Sequence, residues 1–258
     1  MQMNFLYQQN LAVVVLVLAL LMITSAFIGW TTRKMIKDQA SFEKESPSSF
    51  VPTTILGLLA LVLGFTFSMS VIRYDGRRNL VVQEANAIGT SFLRADLLPA
   101  EFGQPIKALL HEYVKVRIDF HNIKTDTEKS RQIVAQTDEL QQKIWKVIVK
   151  AANKHKDPVT ALNISAMNEV FDIGSERHHA TASRTPELVY IILIIIAFIG
   201  IGSLGFLEGT RKASLFNVGI LSVLFSLVIG LVLDIDRPQR GLIQVSQAPL
   251  IKMLSDSK

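Results

Sequence analysis

Few residues in this 258-residue sequence combine the type and the spacing that chemistry needs. Five histidines are present, and the one cluster that suggests a metal is Glu176-Arg177-His178-His179. Neighbouring residues on a helix point roughly 100° apart, and no further histidine follows at three or four positions to complete a coordinating face. No metal site is expected. Cysteine is absent, which excludes disulfides, thiolate zinc sites, iron–sulfur centres and thiol nucleophiles. No glycine-rich phosphate loop, nucleophile elbow or His-Glu-x-x-His pattern occurs, so neither an enzyme nor a bound cofactor is expected.

The polar residues that do form a pattern stand in two places. Arg73-Tyr74-Asp75-Gly76-Arg77-Arg78 is followed by Glu84, Arg94 and Asp96, and Asp234-Ile235-Asp236-Arg237-Pro238-Gln239-Arg240-Gly241 lies near the end of the sequence. Each set follows an apolar block. They read either as a solvated interface with anchoring arginines or as specific ion pairing, in which Asp234 and Asp236 meet Arg73, Arg77 or Arg78.

The blocks that position them are the dominant feature of the chain. Hydrophobic residues make up 49% and charged residues 19%, and four stretches of about 20 residues hold no Asp, Glu, Lys or Arg. Their extents are about 11–30, 53–72, 188–207 and 214–233. A helix needs about 20 apolar residues to cross a hydrocarbon core, where every backbone group must bond within the segment. The chain is therefore read as four membrane helices rather than a water-soluble domain, with the lipid bilayer as its first partner. Trp30 before Arg33 and Lys34, Arg73 with Tyr74, and Tyr190 match the interfacial placement of aromatic and cationic side chains. A cleaved signal peptide is disfavoured for the first block, because residues 1–10 lack Lys and Arg. Glu208 and Asp234 fall at helix ends, so no ionisable group sits inside a block, and a proton pump is disfavoured. Gly57, Gly64, Gly200, Gly202, Gly205, Gly219 and Gly230 are expected to let helices approach closely.

Between the second and third blocks, residues 73–185 carry 17 Lys/Arg against 14 Asp/Glu, a mixed surface rather than a basic stripe. Nucleic acid is not expected as a partner, although the whole chain is +5. Periodicity predicts four helices here and no strand. The first, about 77–98, presents Val81, Ala85, Ile88, Phe92 and Ala95, and joins the second membrane helix with only Gly76 intervening. The second, about 105–122, presents Ile106, Leu109, Leu110, Tyr113, Val116 and Phe120. The third opens at the capping box Thr125-Asp126-Thr127-Glu128 and presents Ile133, Leu140, Ile144, Val147 and Ala151. The fourth starts at Asp157-Pro158, with Ala161, Ile164, Met167 and Phe171 as its apolar face. The fold class is all-α: four transmembrane helices (1–72 and 186–258, the latter ending in a short tail) with a helical domain (73–185) inserted between the second and third. The basic residues flanking the blocks do not orient it. Seven (Arg73, Arg77, Arg78, Arg177, Arg184, Arg237, Arg240) share the side of the middle domain, against six (Arg33, Lys34, Lys37, Lys44, Arg211, Lys212) opposite.

Leu63-Gly64-Phe65-Thr66-Phe67-Ser68-Met69, Arg73-Tyr74-Asp75-x-Arg77-Arg78, Glu84-Ala85-Asn86-Ala87-Ile88-Gly89-Thr90, Leu93-Arg94-Ala95-Asp96-Leu97-Leu98-Pro99 and Asp234-x-Asp236-Arg237-Pro238-x-Arg240-Gly241 together resemble the bacterial bestrophin-like family. The resemblance covers about 56–254. It implies the architecture of bestrophins, which are pentameric ion channels with four membrane helices, both termini in the cytoplasm and a long cytoplasmic helical segment between the second and third. It thus implies a bacterial inner-membrane protein with a cytoplasmic middle domain, a homo-oligomer, and an inorganic ion as the passing ligand. In bestrophins the second membrane helix lines the pore, which makes Phe65, Phe67 and Ile72 the pore or gate candidates. The bestrophin calcium clasp is a dense acidic run, whereas this chain offers only Asp234 and Asp236, so calcium regulation is not expected.

Three functions compete on these grounds. The leading one is an oligomeric ion channel along the second helix. A second is a non-conducting sensor or scaffold whose helical domain binds a protein. The third, a stator-like proton-driven motor, needs a membrane acid that this chain does not supply.

Overall fold

The computed structural model describes residues 7, 9–37, 50–123, 127–207 and 212–256. Lys44, Thr125, Asp126, Glu208 and Arg211, named above, lie outside the described residues. The chain is helical, with no strand among those residues: α1 (Leu11–Lys37), α2 (Phe50–Ala95), α3 (Ala100–Asn122), α4 (Thr127–Lys154), α5 (Pro158–Ala182), α6 (Glu187–Leu207), α7 (Lys212–Asp236) and α8 (Ala248–Asp256). It divides into two compact units, one of Met1–Ile72 with Arg184–Arg237, the other of Arg73–Ser183 with Pro238–Lys258. Each unit holds one of the two tryptophans, Trp30 in α1 and Trp145 in α4.

The first unit contains the apolar stretches of α1, α2, α6 and α7, four helices long and apolar enough to cross a membrane. Its centre is Met22, Leu59, Leu193, Ala197, Ile201 and Val232. α1 packs on α6 at backbone contact. A Cβ on Gly205 would come within 2.2 Å of the Ala26 carbonyl oxygen, and one on Gly29 within 2.0 Å of that of Gly202. The Ser25 hydroxyl donates to the Phe198 carbonyl at 2.6 Å in the same seam. Gly57, Gly64 and Gly219 are expected at helix contacts, yet a Cβ added to any of them would meet nothing within 4 Å. Their faces are open in the protomer.

In the second unit the expected apolar faces of the α2 extension and of α3 and α4 meet in one core around Ile88, Ile106, Leu110, Tyr113, Ile144 and Met167. α2 runs unbroken through Gly76, which costs about 1 kcal/mol relative to Ala and is tolerated inside so long a helix. α3 begins five residues before the predicted Pro105, at Ala100. Pro105 sits inside it, and one lost backbone bond in a first turn and a half does not end the helix. Asp157 caps α5 by accepting from the Thr160 N–H at 2.8 Å, and Pro158 opens the helix. The buried face of α5 is shifted from the predicted one: Ala161 is exposed, whereas Thr160, Asn163, Met167, Val170, Gly174 and Arg177 are buried. Polar and small residues mark that face, so hydrophobicity alone misplaces it. The segment expected as a short tail belongs to this unit and forms α8, with Leu250 fully buried.

Candidate functional site

α2 spans 46 residues, about 69 Å at 1.5 Å per residue. Its buried residues recur at steps of three and four: Leu59, Leu63, Thr66, Ser70, then Arg77, Val81, Glu84, Ile88, Ser91 and Ala95. They form a stripe along the rod, and in the second unit the stripe widens to take in Ala85, Ala87 and Phe92. Two hydroxyls within it turn back on the helix, Thr66 donating to the Val62 carbonyl and Ser91 to that of Ala87. The opposite face is uncovered in the protomer. Leu61, Phe65, Ser68 and Ile72 are exposed on it, followed in register by Asp75, Asn79, Gln83 and Asn86. The face is thus apolar within the membrane stretch and lined by amides and a carboxylate beyond it.

In the second unit the stripe carries a buried ion cluster. The Glu84 carboxylate, with no exposed surface, accepts from Arg117 Nε at 2.5 Å and from Arg177, and both guanidiniums are nearly inaccessible. Arg117 also donates to the Gly174 carbonyl at 3.1 Å, and Arg177 to Gln247 Oε1 at 2.5 Å. Gly174 is required here, because a Cβ would fall 2.6 Å from the Tyr113 hydroxyl. Burial pushes the Tyr113 phenol up to about 12 against the pull of the Arg117 charge. Two guanidiniums thus converge on one buried carboxylate.

The first unit has its own buried carboxylate. Asp236 Oδ2 lies 2.6 Å from the Tyr7 hydroxyl and accepts from the Thr185 N–H at 2.8 Å. Tyr7 also reaches the Thr185 carbonyl at 2.7 Å, so its one proton serves two acceptors. The Arg184 guanidinium stacks over the Tyr7 ring, 5.0 Å from its centroid, and Tyr190 meets that ring edge-on at 6.1 Å. Burial drives the Tyr7 phenol well above its ordinary value.

The bestrophin-like domain model matches residues 13–250. The chain belongs to the bestrophin-like family. Solved structures agree in fold: a bacterial bestrophin homologue from Klebsiella pneumoniae is similar at a TM-score of 0.70 and 18% identity, over 94% of this chain and 95% of that one. Single-residue variants of that homologue match at TM-scores of 0.73 and 0.72, both at 17% identity, over 94% and 97% of this chain and 97% and 96% of theirs. No curated protein matches.

In this bestrophin-like protein the residues singled out from sequence have distinct surroundings. Phe65 is 63% and Ile72 67% exposed on the open face of α2, whereas Phe67 flanks the buried stripe at 39%. Among the boundary residues, Arg77, Glu84, Asp234, Asp236 and Arg237 are buried, Arg73, Arg94 and Arg240 half-buried, and Asp75, Arg78 and Asp96 exposed. Arg94 donates to the Leu162 carbonyl at 3.0 Å, and Asp96 pairs with Lys107 at 2.6 Å. Arg117, Arg177, Gln247 and Tyr7 are not among the ion-pair candidates that the sequence suggests. A signal exists for two of them: Arg117 continues the apolar face of Leu110 and Tyr113, and Arg177 that of Val170 and Gly174. A cation on a core-facing stripe marks a buried partner.

Proposed function

We propose that this protein is the subunit of a homo-oligomeric ion channel of the bacterial inner membrane, with α2 lining the pathway and the helical domain and both termini in the cytoplasm. The observation that carries the reading is the uncovered face of α2, which changes from apolar at Leu61, Phe65 and Ile72 to polar at Asp75, Asn79 and Gln83 within one unbroken helix. Repeated around a symmetry axis, the first set makes an apolar constriction that gates by dewetting, and the second makes polar rings. A pentamer follows from the resemblance to bestrophins. Phe65 and Phe67 lie about 200° apart and cannot both face one axis. Phe65 shares the open face with Ile72 and is the gate, and Phe67 packs.

Ion flux from liposomes tests this. Phe65→Ala widens the constriction and raises flux, whereas Phe67→Ala leaves flux per assembled protein unchanged and lowers thermal stability. Unaltered flux in an intact Phe65→Ala assembly would overturn the gate assignment and leave an anchor whose helical domain binds a protein.

A further inference from the structure

We propose that the second unit holds a small inorganic anion of halide size in a cavity beside the Glu84 cluster, a site independent of whether the protein conducts. The cavity measures about 20 Å³ and is walled by Arg77, Arg177, His121, Gln239, Gln247 and Val81, among others. One water needs roughly 10–15 Å³, so the space suits a single atomic anion. None of the described lining residues is acidic. Two lining guanidiniums are almost wholly buried, Arg77 and Arg177 each at 5% exposure.

Charge bookkeeping points the same way. Within the cluster Arg117 and Arg177 share the single carboxylate of Glu84, two cations to one anion. A bound anion next to Arg177 adds a second negative charge to that cluster. The neutral lining side chains bond to protein groups, so the guanidiniums are the groups that hold the anion. Gln247 directs its oxygen to Arg177 and its amide nitrogen to the Val245 carbonyl, Gln239 donates to the Phe120 carbonyl, and the Thr181 hydroxyl donates to that of Arg177. The positive field reaches His121, whose pKa is lowered by burial and then by Arg177.

Melting temperature in detergent, followed at constant ionic strength as sodium chloride replaces sodium gluconate, tests the site. The full chain should show a saturating rise of roughly 2–4 °C, matched by bromide, since a ligand bound only by the folded state stabilises by mass action. Val81→Met fills the cavity with every charge in place and should abolish the rise. Gln247→Glu places a carboxylate against Arg177 and should also make the protein chloride-insensitive, which keeps the test decisive if Val81→Met does not fold. No difference between chloride and gluconate in the unaltered protein, or a rise that survives in either variant, would overturn the proposal.

Discussion

Glu84 carries one negative charge between two buried guanidiniums, so its removal exposes more than a lost bond. Glu84→Ala leaves Arg117 and Arg177 facing each other without a counter-charge, and destabilisation of about 3–5 kcal/mol is expected. Thermal or denaturant unfolding in detergent reads it, and a loss below about 1 kcal/mol would show that the cluster is not held as an ion pair. His121 gives a pH-dependent counterpart. Burial and the Arg177 charge hold its folded pKa below the ordinary value of about 6.5. As pH falls, the unfolded chain therefore takes up a proton first, so this contribution is complete above about pH 6.5 and is lost below it. Melting curves between pH 8 and 5 should fall less steeply for His121→Gln than for the unaltered protein.

At the scale of elements, the seam between α1 and α6 depends on missing side chains. Gly205→Val drives its Cβ into the Ala26 carbonyl, so the helices must part, at a cost of at least about 1–3 kcal/mol. Gly64→Ala meets nothing in the protomer and should leave the melting temperature the same or slightly higher. Side-by-side melts of the two variants check the contrast. Helix existence is legible from sequence because 20-residue apolar blocks and 3.6-residue periodicity are local signals. Asp157-Pro158 marks the start of α5 for the same reason. The faces of α5 and α8 are not legible. In α5 the buried positions include Thr160, Asn163, Gly174 and Arg177, whose burial is decided by distant partners such as Glu84 and Arg94 rather than by their own hydrophobicity. The site is half-visible: Glu84 and Asp236 stand out as charges, but their partners Arg117, Arg177 and Tyr7 lie 33, 93 and 229 residues away along the chain.

For the whole molecule, the proposed cytoplasmic placement of the helical domain puts Ser130 and Lys37 on opposite sides of the membrane. In intact cells an impermeant thiol reagent should label Lys37→Cys and not Ser130→Cys, and the reverse pattern would invert the topology. The native chain has no cysteine, so each variant carries a single reactive thiol. The division into two units has an optical consequence as well. Trp30 and Trp145 are the only indoles, one in each unit, and their settings differ: Trp30 stacks with Phe27 and under Lys34, whereas Trp145 is 39% exposed. Trp145→Phe leaves an emission spectrum that reports the apolar unit alone, and Trp30→Phe leaves one that reports the hydrophilic unit. Intrinsic fluorescence of the two variants therefore distinguishes units that melt as one cooperative block from units that melt in sequence.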